Sequence, residues 1–222
     1  MFKSMMRKEL METRAVIFFA GFLFALPLVI DAVAYHLDGY IAGDYRKMRW
    51  SPLLNSEIFQ FLWIIPFGFA ILLGFVQTLT DSFQGTWGYL LHLPPGRRWV
   101  ISSKLLVGAS AYLACNGLFL FGCLLNGFSR QTEVHPFQWS MINPYVQLML
   151  IGLLIYLGTF LTGLRPARWY ATRLLPLLGC MMLAWMFFAL PQSWVYGLVP
   201  LALVCGLLVG LILYIGDTRD FA

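Results

Sequence analysis

The chain has 222 residues, of which 60% are hydrophobic and only 11% are charged, and its formal net charge is +5. Soluble domains carry about 25% charged residues, so this composition predicts an all-α integral membrane protein without a soluble catalytic domain. The length accommodates about six spans of roughly 20 residues, as one domain over residues 1–222. In such a chain the positive charge indicates topology and not nucleic-acid binding.

The first 14 residues predict an elbow helix that lies along the membrane surface. One side is apolar and the other is charged: Phe2, Met5, Met6 and Leu10 against Lys3, Arg7, Lys8 and Glu12. The competing interpretation is a secretory signal peptide, because Ala32-Val33-Ala34 imitates a cleavage site. The long apolar run and the acidic residues Glu9 and Glu12 favour the elbow.

The first span is predicted at about residues 15–34, where Pro27 is expected to kink or loosen the helix. A polar loop follows at 35–57, and the second span covers about 58–79. This loop holds His36, Asp38 and Asp44. Mixed charge is typical of a solvated loop, and these residues lack the spacing of metal ligands, so we expect no metal site.

The stretch from Asp81 to Lys104 interrupts the apolar background with a pattern of its own. Four apolar residues share one face if the stretch is helical: Phe83, Trp87, Leu90 and Leu91. Pro94 and Pro95 then end that helix, and Arg97, Arg98 and Lys104 follow as a basic cluster. The pattern predicts a short amphipathic helix that docks into a partner protein or lies on lipid headgroups.

The spacing in this stretch resembles the cytoplasmic loop between the second and third spans of type-2 ABC exporter permeases. In that family an acidic residue precedes a Gly-Thr pair, and leucines, a proline, an arginine and a lysine follow. The residues at those places here are Asp81, Gly85, Thr86, Leu90, Leu91, Pro94, Arg97 and Lys104. One departure is Gly88, which stands where the family usually has a second acidic residue, so no salt bridge is carried over there.

The resemblance implies that residues 80–104 form a coupling loop, whose helix sits in a groove of a separate ATPase chain and includes Phe83 and Trp87. It also implies a second permease half, identical or related, and an alternating-access mechanism of export. ATP and magnesium then belong to the ATPase, and this chain binds no cofactor.

Four further spans are predicted at about residues 105–126, 144–164, 174–190 and 195–215. A short basic connection precedes the fifth span, and the resemblance implies a second cytoplasmic contact there through Arg165, Arg168 and Arg173. Only residues 191–194 separate the last two spans, which predicts a tight helical hairpin. Gly206 and Gly210 form a GxxxG face on the last helix, which permits close helix packing within one subunit or between two.

Charge bias predicts the orientation. If both termini are cytoplasmic, the inside segments carry eleven basic residues and the outside segments carry four, in agreement with the positive-inside rule. The inside set is Lys3, Arg7, Lys8, Arg14, Arg97, Arg98, Lys104, Arg165, Arg168, Arg173 and Arg219. We therefore expect a multi-pass protein of the cell (inner or plasma) membrane with both termini in the cytoplasm.

Two other classes of function stay open, an intramembrane enzyme and a membrane assembly factor that transports nothing. Catalysis at membrane depth needs a nucleophile with its base, or clustered carboxylates and histidines. The chain has no GxSxG, HExxH or Walker A motif and no histidine in a predicted span. The cysteines lie in predicted spans without a CxxC pair and are interpreted as packing residues. The sequence therefore favours a transport subunit over an enzyme.

Overall fold

A computed structural model of the protein describes residues 2–41, 64–84, 97–129, 142–164, 172–189 and 197–218. Within these ranges the chain is helical except for a turn at Leu174, and it contains no β-strand. The helices are α1 (Phe2–Ile41), α2 (Ile64–Gln84), α3 (Arg97–Ser129), α4 (Asn143–Leu164), α5 (Leu175–Ala189) and α6 (Val199–Thr218). The predicted all-α fold class is confirmed.

Among the described residues, three helices are long and apolar enough to cross a membrane, through the segments Arg98–Gly122, Asn143–Leu164 and Val199–Thr218. The apolar parts of α2 and α5 are shorter. At a rise of 1.5 Å per residue, the 15 residues of α5 extend about 22 Å, less than the roughly 30 Å of a bilayer core. The described helices thus indicate a transmembrane protein, and the number of six spans stays a prediction.

Helix α1 is continuous over 40 residues, so the predicted elbow is its first part and not a separate helix. The predicted loop beginning at residue 35 is wrong for residues 35–41, which are helical. Polarity alone does not stop a helix, and no proline or glycine stands between Leu10 and Ala20. Thr13 also bonds within the helix, where its hydroxyl donates to the Glu9 carbonyl at 2.8 Å.

The predicted coupling loop at 80–104 is narrower in the structure. Residues 80–84 belong to the end of α2 and residues 97–104 to the start of α3. Proline ends a helix that approaches it but is tolerated at the beginning of the next one, so α3 starts soon after Pro94 and Pro95. Residues 85–96 lie outside the described part of the chain.

Helix α4 is the centre of the bundle. It packs against α2, α3, α5 and α6, while α1 packs against α2 and α3. Several large side chains of α4 are fully buried, among them Ile151, Leu154, Tyr156 and Phe160. From both sides of the interface between α2 and α4, glycines face hydroxyl-bearing residues: Gly74 of α2 lies against Thr159, and Gly163 of α4 lies against Thr78. These close approaches bring the backbones of α2 and α4 together at this part of the interface.

Several helix ends meet at one end of the bundle, which we call the connection end because α2 and α3 are joined there. Arg98 at the start of α3 forms an ion pair with Asp217 at the end of α6, at 2.6 Å. Glu9 of α1 forms an ion pair with Lys104 of α3. The first turns of α1 and the last turn of α6 therefore lie at the same end as the connection between α2 and α3.

Candidate functional site

A buried ion pair marks the connection end of the bundle. The Lys104 side chain donates to the Glu9 carboxylate, and the two residues are only 1% and 4% exposed. Ionisable residues at membrane depth are rare, face other helices or aqueous cavities, and usually serve function. This pair is therefore the starting point for a candidate site.

Hydrogen bonds extend the ion pair to two more helices. The Gln77 side-chain amide donates to the Lys104 carbonyl at 3.0 Å. The Tyr156 hydroxyl in turn donates to Oε1 of Gln77 at 2.7 Å. Glu9, Gln77, Lys104 and Tyr156 come from α1, α2, α3 and α4, and we call them the four-helix polar cluster.

The local sequence explains why these helices can approach so closely. Lys104 lies on the buried face of α3 with Ile101 and Leu105, at helical spacing. Gly108 is one turn further along the same face. A Cβ atom at Gly108 would overlap both the Tyr156 hydroxyl and Oε1 of Gln77, so only glycine leaves room for that hydrogen bond.

Stability alone does not account for a buried Lys–Glu pair. Replacing such a pair by apolar residues of similar volume is often neutral or stabilising by about 1–4 kcal/mol, whereas removing one partner costs about 3–5 kcal/mol. What the pair adds is specificity, because moving the helices apart would leave each buried charge away from its opposite charge. The cluster can therefore hold four helices in a defined relative position.

The predicted coupling residues are only partly described. Asp81 and Phe83 lie in the last turn of α2, and Arg97 is the first residue of α3; their side chains lie outside the described part. The remaining residues of the predicted coupling face also lie outside it: Gly85, Thr86, Trp87, Leu90, Leu91 and Pro94. The docking face predicted from the sequence stays a prediction.

Lys104 differs from the expectation of a basic surface cluster. Arg98 and Trp99 are exposed near the start of α3, whereas Lys104 points into the bundle and pairs with Glu9. The reason is helical periodicity, since a residue on the same face as Ile101 and Leu105 is turned away from solvent. In this structure Lys104 is a link between helices and not part of an exposed patch.

Of the predicted second contact, Arg165 and Arg168 lie outside the described residues. Arg173 donates from Nη2 to the carbonyl of Gly163 in the last turn of α4, at 3.2 Å. A cation at a helix C-terminus is favourable for the helix dipole. Burial lowers the pKa of Arg173, although arginine keeps its charge at neutral pH. Arg173 thus caps the C-terminal end of α4.

The GxxxG face of α6 has no packing role among the described residues. A Cβ atom at Gly206 or Gly210 would meet no atom within 4 Å. By contrast, Gly216 of the same helix lies against Ile101 of α3. Close packing by Gly206 and Gly210 inside one chain is therefore not observed.

An apolar groove of about 390 Å³ opens between α2, α4 and α5, lined by Phe67, Ile155, Met181, Ala184, Trp185 and Phe188. Its lining residues carry no charged side chain, so the groove does not indicate a class of substrate.

Among the described residues, no group of three His, Cys, Asp or Glu side chains could hold a metal ion.

Sequence reasoning missed three members of the cluster, Glu9, Gln77 and Tyr156. The missing signal was helical periodicity along α1, where Glu9 and Thr13 share the buried face with Ala20 and Phe24. Gln77 was also visible as an amide within an apolar span, a position at which polar side chains usually face another helix.

No family model, curated protein or solved structure matches the chain.

Proposed function

We propose that this chain is the membrane-spanning permease subunit of an ATP-driven ABC transporter and forms one half of an exporter. The observation that carries the proposal is the residue pattern from Asp81 to Lys104, which links α2 to α3. The helical, apolar character of the described chain supports a membrane subunit. ATP hydrolysis and the bound magnesium belong to a separate ATPase chain.

The position of the four-helix polar cluster supports this function. Gln77 is about two turns before the end of α2, and Lys104 is about two turns after the start of α3. Their hydrogen bond therefore joins the two helices about two turns away from the proposed coupling segment, on the membrane side of it. A force on that segment would move α2 and α3 as a unit, and α1 and α4 with them.

The proposed orientation puts the connection end in the cytoplasm, where the ATPase is. Exposed basic side chains gather at this end, including Lys3, Arg7, Arg14 and Arg98, as the positive-inside rule requires of a cytoplasmic face. A second permease half would complete the translocation path in the membrane. An assembly factor without transport would need no ATPase, so partner binding separates these functions.

The test is the pair of variants Trp87→Ala and Trp99→Ala. An aromatic anchor of an interface typically contributes about 2 kcal/mol or more, so Trp87→Ala should weaken ATPase binding by more than about tenfold. Trp99 is 59% exposed on α3 and lies beyond the proposed docking face, so Trp99→Ala is the matched control. The readout is magnesium-dependent ATP hydrolysis that copurifies with the tagged permease from native membranes.

We expect copurifying hydrolysis to be retained with Trp99→Ala and lost with Trp87→Ala, while both variants insert normally. Equal recovery from wild type and both variants would contradict the coupling helix and leave a headgroup-bound surface helix as the better interpretation. If no ATP hydrolysis copurifies with the wild-type chain, the proposal that this chain is a subunit of an ABC transporter is contradicted.

A further inference from the structure

We propose that Glu9 is a positioning residue, which fixes the axial register of α1 against α3 and thereby the start of α3, where the coupling segment ends. Fixing the register concerns this chain alone. The consequence for the coupling segment rests on the proposed function, so the two parts are tested separately.

Helices α1 and α3 run parallel with a constant offset. Glu9 pairs with Lys104, the Phe24 ring lies 5.6 Å from the Phe119 ring, and Leu28 packs against Gly122. In each pair the residue of α3 follows its partner by about 95 positions. One straight seam therefore joins the two helices, with a charged contact at the connection end and apolar contacts further along.

The apolar part of this seam specifies the register weakly. Around Phe24 the contacts are with aromatic rings, Phe69 at 6.0 Å and Phe119 at 5.6 Å, and apolar packing has no required direction. A helix shifted along such a seam can find new apolar neighbours. Polar residues at single buried positions are known to fix helix register because any shift leaves them unpaired.

Glu9 meets this condition, since a shift of α1 by one turn would separate its carboxylate from Lys104 in a buried environment. Lys104 is held from its other side as well, because its carbonyl accepts the hydrogen bond from Gln77. The ion pair thus connects α1 to a residue whose own position is set by α2. Glu9 is the one contribution of α1 to the four-helix polar cluster.

The decisive variant replaces both charges at once. Single variants Glu9→Gln and Lys104→Met leave one buried charge without its partner and should lower the unfolding temperature by roughly 6–20 °C. The double variant Glu9→Leu with Lys104→Met leaves no charge at either of these two buried positions and should unfold at or above the wild-type temperature. It keeps the fold but removes the directional contact, which separates positioning from stability.

The register is measured by pulsed electron–electron double resonance between spin labels at positions 3 and 125, with the full chain in lipid nanodiscs. Both side chains are exposed, and the parallel seam separates them by roughly 40 Å along the helix axes. We expect a narrow distance distribution in wild type. The width of this distribution should increase roughly twofold in the double apolar variant, because the apolar contact between positions 9 and 104 no longer excludes shifted registers of α1.

Two controls accompany this measurement. The reversed pair, Glu9→Lys with Lys104→Glu, should restore the narrow distribution. Asp217→Asn removes the ion pair with Arg98, whose side chains are 69% and 40% exposed, and should leave the distribution unchanged. A distribution as narrow in the double apolar variant as in wild type would overturn the positioning role of Glu9.

The functional part is read from ATP hydrolysis that the permease stimulates in its ATPase. A coupling contact typically changes such an equilibrium by about 5-fold or more, so stimulation should fall by that factor in the double apolar variant and return in the reversed pair. Broadened distances with unchanged stimulation would overturn the link to coupling while the register role stands. If wild type shows no ATPase at all, the proposed function fails, and the distance measurement still decides the register.

Discussion

The substitution Gly108→Ala tests the packing of the four-helix polar cluster with a single methyl group. The added Cβ would overlap the Tyr156 hydroxyl and Oε1 of Gln77, and both of those residues are fully buried. One of them must move, and the hydrogen bond of 2.7 Å between them is then lost. The substitution therefore combines overpacking with a buried polar group that has lost its partner.

These effects can be compared in magnitude. Overpacking costs about 1–3 kcal/mol, and an unsatisfied buried polar group costs about 1–3 kcal/mol. The higher helix propensity of alanine offsets about 1 kcal/mol. We expect a net loss of about 3 kcal/mol, which for a chain of this size lowers the unfolding temperature by roughly 6–12 °C.

The control is Gly117→Ala on the same helix, where an added Cβ would meet no atom within 4 Å. Only the helix propensity changes there, so the unfolding temperature should stay constant or rise by a few degrees. Thermal unfolding of both variants in one mild detergent, followed by tryptophan fluorescence, measures the difference. Equal unfolding temperatures for the two variants would refute the packing described around Gly108.

Two further predictions concern the other end of the chain and the orientation in the membrane. Gly206→Ala and Gly210→Ala should leave the unfolding temperature of the isolated chain constant or raise it, because both positions are open; a clear decrease in detergent would show an internal contact at this face. In a cysteine-free background, a cysteine at position 96 should react with a membrane-impermeant reagent only from the cytoplasm, and one at position 44 only from outside. Labelling of both positions from the same side would contradict the proposed topology.

The sequence predicted the bounds of a helix correctly where an apolar run had clear ends. The predicted fourth and fifth spans lie within one residue of α4 and α5 at each end. At other boundaries the prediction ended a helix where polar residues begin. The charged start of α3 and residues 35–41 of α1 are nevertheless helical. Hydropathy detects the solvent preference of a side chain, whereas a helix ends where its backbone hydrogen bonding ends.

The candidate site was less predictable than the fold. Lys104 was singled out from the sequence, but as part of a basic surface. Its partner Glu9 lies 95 residues earlier in the chain, and no local pattern connects residues at that distance. Burial of an ionisable residue depends on which helices pack together, which a single sequence does not specify.

The same separation in sequence has a consequence for biosynthesis. Glu9 leaves the ribosome 95 residues before Lys104, and at about 5–20 residues per second this is a delay of roughly 5–20 s. During that time α1 has no lysine to neutralise its carboxylate, and a charged group without a partner stays hydrated at the membrane surface. The start of α1 can enter the bundle only after α3 has been inserted, so this segment is made earlier than α3 but reaches its final position later.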